Sequence, residues 1–200
     1  MTVEGIRKNR IEEAIELAAQ AHYGQYRKGT ETPYITHPYA VGFILMREGC
    51  SDAVVIAGIL HDTVEDTDLT LECIRDCFGE PIAKIVDACS ENKSLKWRER
   101  KTELIEKLKT ASTEICLVTC ADKLHNLRTV ISEYDVIGER VWERFHGGKE
   151  AQSWYYRSIL ESLRLHINGK ETDKRDIATI EQFNTIFLQL QQAVTYLFDG

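Results

Sequence analysis

Val54-Val-Ile-Ala-Gly-Ile-Leu-His-Asp-Thr-Val-Glu-Asp-Thr67 is the stretch on which the reading of this chain turns. Seven apolar or small residues in a row predict a helix buried on every side. That helix runs straight into His61, Asp62, Glu65 and Asp66, four groups able to bind metal or move protons. Polar groups at the end of a buried helix carry a desolvation cost, and a bound ion or hydrogen-bonded pairing normally meets it.

Helical signals continue on both sides. Asn9 can cap an amphipathic helix through Ile11, Ile15 and Ala18. A polar loop, 24–33, precedes His37-Pro38, which open a second helix closed by Gly49. Ser51-Asp52 begin the buried helix, predicted to run unbroken toward Glu65. Thr70 can cap a fourth helix ending near Gly79, and Pro81 starts a fifth. Further helical patterns cover 95–108, 113–132, 149–167 and 176–198.

No strand alternation and no glycine-rich phosphate loop intervene, so the predicted fold is all-α, a single globular helical bundle with a C-terminal helical extension. Residues 1–168 form the predicted main domain, and 169–200 the linker and C-terminal helix. The linker is Gly169-Lys-Glu-Thr-Asp-Lys-Arg175, which sets the last helix apart as an appendage or as an element for homo-oligomer formation.

Composition narrows the function. The 200 residues carry a net charge of −7, from 32 acids against 25 bases. An acidic excess argues against a nucleic-acid partner, which needs phosphate-neutralising cations. A local basic pocket for a small phosphorylated ligand remains compatible. No run is long and apolar enough for a membrane span, and the N-terminus lacks the apolar core of a secretion signal, so a cytoplasmic location is expected. The six cysteines read as reduced, mostly buried thiols, since Cys73/Cys77 and Cys116/Cys120 are spaced like neighbours on helix faces.

Three segments can supply metal ligands: Tyr34-Ile-Thr-His37, Leu60-His61-Asp62 and Cys120-Ala-Asp122. Two histidine nitrogens and two carboxylate oxygens form a set of intermediate hardness, suited to Mn²⁺, Fe²⁺, Zn²⁺ or Co²⁺. Asn126 lies four residues after Asp122, on the same helix face. Arg27 and Lys28 precede His37 in the polar loop and can meet a phosphorylated ligand. Lys93, Lys96, Arg98, Arg100 and Lys101 form a further basic cluster.

Several longer strings go together. They are Arg27-Lys28, Pro33-Tyr-Ile-Thr-His-Pro38, Ala57-Gly-Ile-Leu-His-Asp-Thr-Val-Glu-Asp-Thr67, Phe78-Gly79 and Ala121-Asp-Lys-Leu-His-Asn-Leu-Arg-Thr129. With them the chain resembles the HD-domain hydrolases, and more narrowly the RelA/SpoT-type alarmone hydrolase domains and their small stand-alone relatives of the metazoan SpoT-homologue kind. The resemblance covers roughly residues 9–165.

It implies one Mn²⁺ ion held by His37, His61, Asp62 and Asp122, with Glu65 and Asp66 handling the attacking water and proton transfer. It implies a nucleotide substrate, guanosine 3′,5′-bis(diphosphate) or its pentaphosphate, from which the 3′-diphosphate is hydrolysed. Arg27, Lys28 and Asn126 fall on its substrate side, and Tyr155 or Tyr156 closes over base or ribose. No synthetase domain fits in the remainder, so a constitutive stand-alone hydrolase is expected. Two alternatives remain open. An HD phosphohydrolase acting on an adenosine alarmone or a phosphorylated dinucleotide cofactor would use the same machinery. A non-catalytic, metal-containing nucleotide-binding protein would have no use for Glu65 and Asp66.

Overall fold

The computed structural model describes residues 9–168 and 177–199, and among them every regular element is helical. The one extended feature is an isolated antiparallel bridge from Tyr26 to Pro33 at the neck of the polar loop. The all-α expectation holds. The expected linker at Gly169–Arg175 lies outside the described residues.

The chain divides into two compact units, Met1–Ser90 and Glu91–Gly200. In the first, α1 (Arg10–Ala21), α2 (Thr36–Arg47), α3 (Asp52–Leu60), α4 (Thr63–Asp66), α5 (Leu71–Phe78) and α6 (Glu80–Cys89) follow in order. α3 is its core: every residue from Val54 to Leu60 is buried, and α1, α2 and α6 pack around it. Burying side chains of this size stabilises by roughly 1.5–3 kcal/mol each. Two glycines let α2 and α3 approach: a Cβ on Gly42 would lie 2.4 Å from Ile59 Cγ1, and one on Gly58 2.4 Å from Leu45 Cδ1.

Local chemistry sets the boundaries. Asn9 and Glu12 form a reciprocal capping box at α1, each bond 2.9 Å long. Thr70 caps α5 through the Cys73 amide. Gly79, at φ +85°, separates α5 from α6 in a backbone conformation that L-residues with a Cβ rarely adopt.

The second unit holds α7 (Trp97–Leu108), α8 (Thr113–Ile137), a 3-10 segment (Gly138–Arg144), α9 (Gly148–Asn168) and α10 (Ile177–Phe198). α8 extends five residues beyond the predicted end at Ser132 and stops at Gly138, whose φ of +61° ends the helix. α10 lies against α8 and α9. Arg128 donates to Gln189 at 2.7 Å and Tyr196 to Asp135 at 2.7 Å, so polar ties fix α10 to α8 beside its buried Phe183, Ile186 and Leu190. No helix among the described residues is long and apolar enough to cross a membrane.

Candidate metal centre

The helix predicted to reach Glu65 in one piece breaks instead at His61-Asp62. The site residues themselves cause the break. A helix leaves its last carbonyls without amide partners. Here His61 Nδ1 takes the Gly58 carbonyl at 2.8 Å, and Thr63 Oγ1 donates to the Leu60 carbonyl at 2.7 Å. A new turn, α4, starts at Thr63, with the Asp66 amide donating to the Asp62 carbonyl at 2.9 Å. The break places Asp62 at the junction, where its carboxylate meets His37 of α2 and Tyr34 just before that helix.

His37, in the first turn of α2, is 1% exposed, and His61 is 3% exposed. Their rings meet edge to face, with centroids 5.1 Å apart, and each offers a ring nitrogen within 4.8 Å of the other's. Asp62 Oδ2 lies 3.1 Å from His61 Nε2 and 3.5 Å from His37 Nε2. Two donors at about 2.1 Å from one ion, at right angles about it, stand about 3 Å apart. The first unit therefore carries a His/His/Asp constellation whose two edges at Asp62 suit a divalent metal's coordination shell, and its mixed nitrogen and oxygen donors fit such an ion.

Around it the fold adds groups that sequence reasoning missed. The Tyr34 hydroxyl donates to Asp62 Oδ2 at 2.7 Å and reaches Asp66 Oδ2 at 3.1 Å. Gln25 Nε2 donates to the Asp66 carbonyl at 2.8 Å, and Gln25 Oε1 meets His22 Nδ1 at 2.9 Å. A signal was available in principle: Tyr34 precedes His37 by three residues, a spacing that can return a side chain to the same place. Glu65 is half-buried in α4. Arg27 is half-buried, with its guanidinium 5.5 Å from the centre of the Tyr34 ring, while Lys28 is exposed at the loop tip.

In the second unit, Asp122 is buried on α8. Its carboxylate takes Lys123 Nζ at 2.6 Å on Oδ2 and Asn126 Nδ2 at 2.6 Å on Oδ1. Asp122 and Asn126 thus share a helix face, as their spacing predicts. Burial opposes the Lys123 cation, but Asp122, then Tyr155 and Glu91, more than offset it and hold its pKa well above the ordinary range. Lys101 shifts the other way: burial first, then the nearby Lys123 cation, lower its pKa despite a 2.5 Å contact with Glu91.

Tyr155 and Tyr156 are 3% and 8% exposed. Lys101 Nζ and Lys123 Nζ stand 4.9 and 5.8 Å from the Tyr155 ring centre, a cation–aromatic arrangement. The basic run on α7 divides: Arg100 and Lys101 pair with Glu91, while Arg98 lies over the Trp154 ring. The thiols also divide. Cys50, Cys116 and Cys120 are buried as expected, but Cys73 and Cys77 are exposed, because α5 turns Ile74 and Phe78 inward and leaves the cysteine face to solvent.

The HD domain family matches residues 14–142 of this chain. Over 119 residues the chain is 45% identical to guanosine-3′,5′-bis(diphosphate) 3′-pyrophosphohydrolase MESH1 of Danio rerio, a match spanning 58% of this chain and 66% of that protein. The Xenopus tropicalis protein of the same name is 46% identical over 121 residues, 59% of this chain and 68% of that one. The chain thus spans about two thirds of the length of these relatives.

The crystal structure of lmo0812 from Listeria monocytogenes superposes with a TM-score of 0.70 at 35% identity, covering 82% of this chain and 99% of that one. A metazoan orthologue of SpoT, described as hydrolysing ppGpp, superposes with a TM-score of 0.68 at 29% identity, covering 92% and 96%. Motif strings, an all-helical fold and a His/His/Asp constellation agree with these likenesses: the chain belongs to the HD-domain family, with the fold of its RelA/SpoT-type alarmone hydrolase branch.

Proposed function

We propose that this protein is a metal-dependent guanosine-3′,5′-bis(diphosphate) 3′-pyrophosphohydrolase that releases pyrophosphate and leaves GDP or GTP. The observation that carries the reading is the pair of buried histidines, His37 and His61, meeting the half-buried Asp62 and followed at once by Glu65 and Asp66. A structural metal needs no carboxylates beyond its ligands, whereas hydrolysis does. The likeness to MESH1 proteins supports the substrate class.

Mn²⁺ is the ion assigned, with Asp122 of α8 as fourth ligand. In support, Asp122 is a buried acid on α8 whose two carboxylate oxygens are held by Lys123 and Asn126. When bound, the ion supplies Lewis acidity toward a phosphate oxygen and water. The chain's own residues do the rest. Glu65 and Asp66 take the proton of the attacking water, whose oxygen bonds to the 3′-linked phosphorus. The bond from that phosphorus to the ribose 3′-oxygen breaks, and the 3′-oxygen gains a proton.

Arg27 and Lys28 meet base and phosphates, Arg27 through its planar guanidinium. Asn126 faces the ribose or a phosphate. Tyr155 and Tyr156, both buried, back the nucleotide side of the second unit.

Pyrophosphate release by Mn²⁺-loaded protein, offered guanosine and adenosine 3′,5′-bis(diphosphate) side by side, tests the reading. Metal-dependent release that Asp62→Ala abolishes is expected, with the guanosine compound preferred. Release from the adenosine compound alone would replace the base assignment, and release from neither would overturn the function.

A further inference from the structure

Tyr34 touches two of the acids to which the proposed mechanism gives different work. Its hydroxyl is 2.7 Å from Asp62 Oδ2, on the metal side, and 3.1 Å from Asp66 Oδ2, on the water side. Two carboxylates converging on one point repel, and both only accept hydrogen bonds. A phenol proton between them is the donor that lets them converge.

The ring is itself held. The His22 ring lies 4.8 Å away, the Arg27 guanidinium 5.5 Å away, and the Tyr34 amide donates to the Gln25 carbonyl at 2.8 Å. Gln25 in turn holds the Asp66 main chain through its carbonyl at 2.8 Å. The segment before α2 therefore grips Asp66 twice, by side chain through Tyr34 and by backbone through Gln25.

We propose that Tyr34 is a positioning residue: its hydroxyl fixes the Asp66 carboxylate relative to Asp62, so the proton-accepting acid stands in constant register with the metal ligand. The proposal rests on the reading that Asp62 binds the ion and Asp66 serves the water. Phe at this position keeps the ring that packs on His22 and Arg27 and removes only the donor. Substrate binding through Arg27 is then preserved, while the alignment of Asp66 is lost.

Tyr34→Phe is expected to lower kcat by about 10- to 100-fold, the usual effect of losing an orienting partner, with KM within about twofold. Mn²⁺ affinity, titrated without substrate, is expected to fall by about 10-fold, because Asp62 loses its hydrogen bond. A double-mutant cycle with Asp66→Asn is the deciding readout. If Tyr34 acts through Asp66, its kcat effect largely vanishes in the Asp66→Asn background.

Full additivity in that cycle, or a Tyr34→Phe protein with unchanged kcat and Mn²⁺ affinity, would overturn the proposal. Should Tyr34→Phe fail to fold, Gln25→Met loosens the same acid through its main chain; a fall in kcat at constant KM supports the assignment, and an unchanged kcat overturns it. If the wild-type protein releases no pyrophosphate from either alarmone, the functional reading falls, and the Mn²⁺ titration alone then decides the role of Tyr34.

Discussion

His61 Nδ1 lies 2.8 Å from the carbonyl oxygen of Gly58, one helical turn earlier on α3. A carbonyl only accepts, so Nδ1 carries a proton, which leaves Nε2, turned toward Asp62, as the nitrogen on the ligand side. The last turn of the core helix thus sets the tautomer that a metal requires. In metal-free protein at neutral pH, long-range ¹⁵N correlation spectra should show His61 protonated at Nδ1. His61→Ala should weaken Mn²⁺ binding by about 100-fold or more in a calorimetric titration, beyond the effect of losing an orienting group alone.

Gly58 has a second duty, since a methyl group there would lie 2.4 Å from Leu45 Cδ1 and 3.4 Å from Val41 Cγ1. Overpacking of this kind costs about 1–3 kcal/mol. Gly58→Ala should lower the melting temperature by several degrees and, by shifting the carbonyl that orients His61, weaken Mn²⁺ binding as well. Differential scanning calorimetry with and without the ion checks both effects.

Lys123 neutralises Asp122 at 2.6 Å, with both side chains largely buried at 12% and 11% exposure. Removing one partner of such a pair strands a buried charge, at a cost of about 3 kcal/mol. Lys123→Met should destabilise metal-free protein by about that amount in a urea titration, and added Mn²⁺ should restore more stability to the variant than it adds to the wild type. The pKa of Lys123 is raised in the folded state, so its contribution is fully present below the ordinary value of 10.5 and lost only as pH climbs through the higher folded value. The difference between wild type and variant should therefore stay level from neutral pH to about 10. Lys101 carries the opposite sign: its pKa is lowered, so its contribution to stability grows as pH rises from the folded value toward 10.5.

The cysteines should differ sharply in reactivity. Cys73 and Cys77 are exposed on α5, whereas Cys116 and Cys120 are buried and burial pushes the Cys50 thiol up to about 11. Thiolate is the reactive form. Brief treatment of native protein with iodoacetamide at mildly alkaline pH should modify Cys73 and Cys77 first, and peptide mass spectrometry should find Cys50, Cys116 and Cys120 protected until denaturant is added.

The helices and their order were legible in the sequence because they rest on local signals: the caps at Asn9 and Thr70, glycines at 49 and 79, and apolar periodicity along α8. The pairing of Asp122 with Asn126 was legible for the same reason, being a contact within one helical turn. The His61-Asp62 pair announced a site because polar ligands at the end of an all-apolar run carry a desolvation cost that a bound ion can meet.

Other features depended on contacts that periodicity does not encode. The break of the core helix at His61 arises from two side chains capturing the Gly58 and Leu60 carbonyls, which a helical pattern cannot register. The exposed face of α5 was hidden because a cysteine counts as apolar wherever it stands, and only packing decides which face turns inward. Tyr34 remained silent for a related reason. Its meaning is a single hydroxyl placed against Asp62, 28 residues on, and Asp66, 32 residues on. The sequence by itself determined which residues could bind an ion and which segments would be helical; tertiary structure alone decided how the acids are aimed, because that depends on bonds between residues far apart in the chain.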